Sequence, residues 1–139
     1  MNLQMIFGST SDKDKVLPGI QKFTQEHPEV VVDVHWASAD NTPEKVRKIM
    51  EIIASPVLSL PYAFISGAGM SNVLSGFVKQ YTDIHDLNIG VPISDSATGG
   101  LSAILSTNCF FLPDLIRVYA FRFQQAPGLR VRKCVDFSA

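Results

Sequence analysis

A chain of 139 residues with 46% hydrophobic and 18% charged residues falls in the range of one ordinary globular domain. A domain of that size buries roughly two-thirds of its unfolded surface and needs no disulfide or metal staple. The formal net charge of −1 gives no overall pull toward nucleic acid or an anionic membrane, so any phosphate recognition must be local and a small ligand suits the chain better than a polyanion. No stretch approaches the roughly 20 apolar residues of a membrane span, and Met1-Asn2-Leu3-Gln4 lacks the basic and long apolar regions of a secretory signal. A cytoplasmic protein is expected. Cys109 and Cys134 show no Cys-x-x-Cys spacing and no paired histidines, so they read as two buried or idle thiols, and no metal site is expected.

In chain order, Leu3-Gln4-Met5-Ile6-Phe7 is a short apolar run ending in Gly8-Ser9-Thr10-Ser11-Asp12, which reads as a buried strand entering a loop and then a helix. Val16, Ile20 and Phe23 give that helix an apolar stripe at i, i+4, i+7, while Pro18-Gly19 must kink it or delay its start. The β-branched run Val30 to Trp36 predicts a second strand, with a small-polar loop from Ala37 to Asn41. Thr42 can cap the next helix with its hydroxyl, Pro43 suits the first helical position, and Val46, Ile49, Met50 and Ile53 fall on one face.

Tyr62 to Ile65 gives a third strand, broken by Ser66-Gly67-Ala68-Gly69, and Met70 to Gln80 reads as a helix with Val73, Leu74, Phe77 and Val78 on its apolar side. Leu87 to Pro92 gives a fourth strand, and Leu101, Ile104 and Leu105 start a further helix after Gly99-Gly100. Four strand-loop-helix units in succession predict an α/β fold with a parallel sheet, in a single domain over residues 1–139. Residues 115–123 suit a fifth strand, and Gln124 to Ala139 read as loop or edge strand. Arg117, Arg122, Arg130, Arg132 and Lys133 concentrate positive charge there, as a solvated face or a phosphate or partner contact.

In an open parallel sheet, ligands bind beyond the carboxyl ends of the strands. Three loops there are rich in glycine and short polar residues: Gly8 to Asp12, Ser38 to Thr42 and Ser66 to Asn72. Small residues let backbone N–H groups approach an anion, and a helix start adds partial positive charge, so such loops can hold a phosphate without lysine. Neither a Walker motif nor Gly-x-Gly-x-x-Gly is present, which favours a mononucleotide or sugar phosphate over a triphosphate or dinucleotide.

Gly8-Ser9-Thr10-Ser11-Asp12, the segment Ala37 to Val46 and the segment Gly69 to Val78 resemble, in order and spacing, three signatures of the aminoimidazole ribonucleotide carboxylase and mutase family of purine synthesis. Weaker matches follow at Gly90-Val91-Pro92, Ser94-Asp95-Ser96, Gly99-Gly100 and Leu105-Ser106, so the resemblance covers residues 3–107. The third signature is nearer the direct carboxylase branch. The resemblance implies a three-layer α/β/α sandwich with a parallel sheet, flavodoxin-like, assembled as a homo-oligomer, typically an octamer, with active sites at subunit contacts and no metal or organic cofactor. It implies aminoimidazole ribonucleotide as substrate, with Ser9, Ser11 and Asp12 on phosphate and ribose, and Ser38, Ala39 and Asn41 lining the pocket. Gly69, Ser71, Asn72 and Leu74 would enclose the imidazole and carbon dioxide. A carboxylate such as Asp12 suits a ribose diol because it accepts two hydrogen bonds.

The family's second signature reads Ser-Ala-His followed by a basic residue, whereas this chain has Ser38-Ala39-Asp40-Asn41. The histidine moves the proton of the ring carbon that gains the carboxylate. A free imidazole titrates near about 6.5 and a free aspartate near about 3.9, so the replacement removes a group that exchanges protons at neutral pH. An anionic Asp40 would also repel the carboxylate, and Asn41 brings no positive charge; unit charges about 4 Å apart interact by about 4 kcal/mol near a protein surface. His35, five residues earlier in a strand, either packs against a neighbouring layer or reaches the loop, while His27 and His85 flank turns. After Thr107 the resemblance stops, so residues 108–139 are divergent.

Three functions fit these residues. The first is a carboxylase, a lyase acting on aminoimidazole ribonucleotide with Asp40 as its proton-transfer group. The second is an inactive, regulatory homologue that binds a nucleotide monophosphate. The third is an enzyme of different chemistry on a related heterocyclic nucleotide.

Overall fold

The computed structural model describes residues 2–53, 62–82 and 87–109. The expected fifth strand, the basic cluster of the tail, Cys134 and His85 lie outside the described residues. Among the described residues, four strands alternate with four helices: β1 (Asn2–Phe7), α1 (Lys13–Glu26), β2 (Val31–Trp36), α2 (Pro43–Ile53), β3 (Tyr62–Ala68), α3 (Val73–Lys79), β4 (Leu87–Pro92) and α4 (Leu101–Cys109). The strands form one parallel sheet in the order β2-β1-β3-β4. This is the parallel α/β fold that the repeated strand-loop-helix units predict, in the flavodoxin-like α/β/α arrangement that the family resemblance implies.

The alternation of side chains along β1 explains the layers. Leu3, Met5 and Phe7 meet Val16 of α1 together with Ala63, Val91 and Ile93 on one face, and Ile20 and Phe23 extend that contact. Ile6 on the opposite face joins Phe64 with Val46, Met50 and Ile53 of α2 and Leu74 and Val78 of α3. Ile6, Val46, Met50 and Val78 are fully buried, and each large apolar side chain taken from water contributes about 1.5–3 kcal/mol. Covered on both faces, β1 reads as a nearly unbroken apolar run, as a central parallel strand should.

One boundary differs from the sequence reading, and of the two alternatives for Pro18 the delayed start is excluded. Pro18 neither delays α1 nor moves its start, which is at Lys13; the carbonyl of Asp14 loses its helical donor, and both residues are exposed, so water can take the place of that bond. β3 runs on through Ser66-Gly67-Ala68, and α3 starts only at Val73. Those three small residues pair with Gly90, Val91 and Pro92 of β4, and Ser66 and Gly67 also pair with Ile6 and Phe7 of β1. A β-carbon on Gly67 would stand 2.8 Å from the Val91 carbonyl oxygen and 3.2 Å from Phe7 Cδ1, so what resembles turn chemistry is close strand packing. Along α4, Ala103 and Thr107 are buried, while Leu101 and Leu105 are exposed.

Candidate active site

Because all four strands are parallel, the loops that follow them share one edge of the sheet. The chain passes from β1 outward to β2, then back across β1 to β3, so the direction reverses between β1 and β3, and the carboxyl ends of these two strands are where an open parallel sheet forms its ligand crevice. The two sides of that crevice are close. Gly8 donates its N–H to the Gly67 carbonyl at 2.9 Å, and a β-carbon on Gly8 would stand 2.9 Å from Ala68 Cβ.

The loop after β1 is a single 3-10 turn over Thr10–Asp12. Ser9 Oγ accepts the Ser11 N–H at 3.1 Å, and the two hydroxyls are 2.8 Å apart, both exposed. Asp12 is 6% exposed, and its carboxylate makes no cap bond to α1. Its charge is met by Lys15 Nζ, 3.6 Å from Oδ1. A β-carbon on Gly69 would lie 3.8 Å from that same oxygen and 3.8 Å from Asp95 Cβ, which brings the loops after β1, β3 and β4 to one point.

The loop after β2 is organised by Ser38 and Thr42. Ser38 Oγ accepts the Asn41 N–H at 3.1 Å, the Ser38 N–H donates to Thr42 Oγ1 at 2.9 Å, and that hydroxyl donates to the Ser38 carbonyl at 3.2 Å. The Thr42 hydroxyl therefore serves the turn behind it instead of capping α2, and its backbone carbonyl takes the N–H groups of Lys45 and Val46. Ala39 packs against the core, while Asp40 and Asn41 are exposed on the turn.

His35 does not reach this loop. Its Nε2 meets Gln4 Oε1 at 2.9 Å, and Gln4 Nε2 donates to Asp33 Oδ2 at 2.8 Å, so His35 belongs to a polar chain across β1 and β2. Since the Gln4 oxygen can only accept, His35 Nε2 carries a proton and Nδ1 is the site that titrates. Burial lowers the imidazole pKa below its usual value, with Asp33 opposing and Lys45 adding to the effect.

The loop after β3 holds Met70 at φ 54°, a left-handed conformation unusual for a side chain of this size, with the residue 63% exposed. Ser71 is exposed. Asn72 is fully buried and turned toward α4, where its Nδ2 donates to Thr107 Oγ1 at 2.9 Å, and Leu74 belongs to the core beside Ile6 and Val78. After β4, Asp95 accepts the N–H groups of Ala97 and Thr98 at 2.9 and 2.7 Å and the Thr98 hydroxyl at 2.7 Å. The Thr98 hydroxyl, followed by its backbone N–H, holds the Asp95 carboxyl below the usual carboxylate range.

The structure thus gathers Ser9, Ser11, Asp12 and Gly69 at the crevice, with Ser38 to Asn41 on the adjacent loop and Asn72 and Leu74 anchored inward. Lys15, Ser94 and Asp95 are part of the same edge and were not among the expected site residues. The spacing of Lys15 three residues after Asp12 at a helix start was the signal available for one of them. Among the described residues, no three His, Cys, Asp or Glu side chains group as metal ligands, and no helix is long and apolar enough to cross a membrane.

No curated protein matches the chain. Among solved structures, Treponema denticola PurE is similar to it, with a TM-score of 0.64 at 24% identity, covering 86% of this chain and 70% of that one. A substituted form of Treponema denticola PurE2 gives the same values. These likenesses concern the fold. The family model described as AIR carboxylase matches residues 2–121, a span that includes the four strands, the four helices and every residue of the crevice. The chain belongs to the AIR carboxylase family.

Proposed function

We propose that this protein binds aminoimidazole ribonucleotide in the crevice between β1 and β3 and acts as a PurE-like carboxylase, a lyase of purine biosynthesis. The observation that carries the reading is the meeting of Asp12 and Gly69 at the sheet's switch point, with the paired Ser9 and Ser11 hydroxyls in the same loop as Asp12. In this reading the two serines and the backbone of their loop take the phosphate, and Asp12 takes the ribose diol. Ser38, Ala39 and Asn41 line one side, while Gly69, Ser71 and the backbone of Asn72 and Leu74 close the other around the imidazole and carbon dioxide. Carboxylation forms a carbon–carbon bond at a ring carbon that then loses a proton, and Asp40 accepts it. The chain works as a homo-oligomer, by family resemblance an octamer, which light scattering would test.

A second reading, a regulatory homologue that binds the nucleotide monophosphate without turning it over, is favoured by the exposure of Asp40 and by the uncharged Asn41 next to it. Two measurements on the full chain separate these readings. Calorimetry with aminoimidazole ribonucleotide tests binding, and heat that disappears in Asp12→Ala supports both. Decarboxylation of the carboxylated ribonucleotide above background supports the enzyme, and binding without turnover supports the regulator. No binding sinks both.

A further inference from the structure

Lys15 stands one helical turn beyond Asp12, yet its ammonium reaches a different part of the chain. Nζ donates to the Ser94 carbonyl at 2.7 Å, across 79 residues of sequence, and lies 3.6 Å from Asp12 Oδ1. The first distance is a hydrogen bond and the second is a charge contact only. Lys15 therefore ties the start of α1 to the loop after β4 while compensating a carboxylate that is 6% exposed. A carboxylate so enclosed is costly without a counter-charge. Lys15 supplies one without occupying the oxygen's lone pairs through a short hydrogen bond.

The contrast with Asp95 gives this arrangement its meaning. Both residues flank Gly69, but the Asp95 carboxylate is committed to three donors of its own turn, while Asp12 neither caps its helix nor spends its oxygens on the turn. Of the two, Asp12 keeps acceptor capacity for an incoming pair of hydroxyls, and Gly69, lacking a β-carbon, leaves space beside Oδ1. We propose that Lys15 is a positioning residue for ribose recognition: its ammonium beside Oδ1 keeps the Asp12 carboxylate aimed at a vicinal diol, and it fixes the Ser94 loop as the far wall of the crevice.

This inference rests on the reading that the crevice takes a ribonucleotide, and the test separates the two. Calorimetry on the full-length protein compares aminoimidazole ribonucleotide with its 2′-deoxy counterpart for wild type, Lys15→Met and Lys15→Arg. Wild type should prefer the ribonucleotide. Lys15→Met should bind it about tenfold more weakly, equivalent to one hydrogen bond to a charged group, with affinity for the deoxy compound nearly unchanged. Lys15→Arg should restore most of the preference. If Lys15→Met fails to fold, Lys15→Gln, which keeps an N–H donor without the charge, should show the same loss of preference. A wild-type ratio in the uncharged variants, or equal weakening of both ligands, would overturn the role of Lys15 alone. Failure of wild type to bind either compound would overturn the ribonucleotide reading and the role of Lys15 together.

Discussion

Asn72 donates through Nδ2 to Thr107 Oγ1 at 2.9 Å, and its backbone N–H donates to Ser106 Oγ at 2.7 Å, so the loop after β3 is fastened to α4 and not only to the helix it precedes. Thr107 passes the bond on to the Ala103 carbonyl at 2.7 Å. Among the described residues Asn72 Oδ1 has no partner. Asn72→Ala removes a made bond together with an unmade one, and a loss of about 1–2 kcal/mol is expected in urea unfolding. Asn72→Asp places charge at a fully buried point and should cost more than about 3 kcal/mol.

Gly67→Ala tests the close strand contact beneath the crevice. The new methyl would enter at 2.8 Å from a backbone oxygen, which cannot swing aside as a flexible side chain can. A destabilisation of about 1–3 kcal/mol is expected, with a parallel loss of ribonucleotide affinity because the residue sits next to the end of β3 that carries the loop. Equal stability of variant and wild type would show that the strands can separate there without cost.

His35 makes stability depend on pH in a defined direction. Its pKa is lowered in the folded protein, so between the folded and unfolded values the unfolded chain binds more protons and stability rises with pH. The contribution is present above the unfolded value of about 6.5 and is lost as pH falls through the folded value. Melting temperatures compared at about pH 7.5 and about pH 5.5 should fall further for wild type than for His35→Gln, which keeps a donor for Gln4 but does not titrate. An identical drop would assign the acid sensitivity to other groups.

The proton chemistry is tested at the turn after β2. Asp40→His combined with Asn41→Arg should raise decarboxylation of the carboxylated ribonucleotide by about 100-fold over the wild-type chain, the lower range of general acid–base catalysis. The Asn41 bond to Ser38 Oγ comes from its backbone, so the double substitution leaves the turn intact. An unaltered rate with unaltered ligand affinity would move the missing element away from the turn.

Much of the fold was legible because its signals are local. The stripe of Val46, Met50 and Ile53 after Pro43 marks α2, and Leu87 to Pro92 marks β4 at its observed bounds. Ser66-Gly67-Ala68 was misread because small residues after an apolar run have the composition of a turn, and only pairing with Gly90, Val91 and Pro92 reveals a strand. The site divides in the same way. Ser9, Ser11, Asp12 and Gly69 are visible as loop chemistry at strand ends, whereas the partner of Lys15 is 79 residues away and has no sequence pattern. Burial was equally hidden: Asn72 and Ser71 are neighbours of like polarity, yet one is enclosed and the other exposed.

The position of Asp40 and Asn41 on an exposed turn also bears on how such a protein can change over generations. Surface substitutions of this kind usually alter stability by no more than about 0.5 kcal/mol, so folding exerts little selection on either side chain. Gly8, Gly67 and Asn72, by contrast, cannot be exchanged without disturbing the sheet or the seat of α4. Under the proposed carboxylase reading, a lineage could therefore abandon, regain or replace its proton-transfer group by single codon changes while the need to fold retains the sheet edge on which the loops are carried.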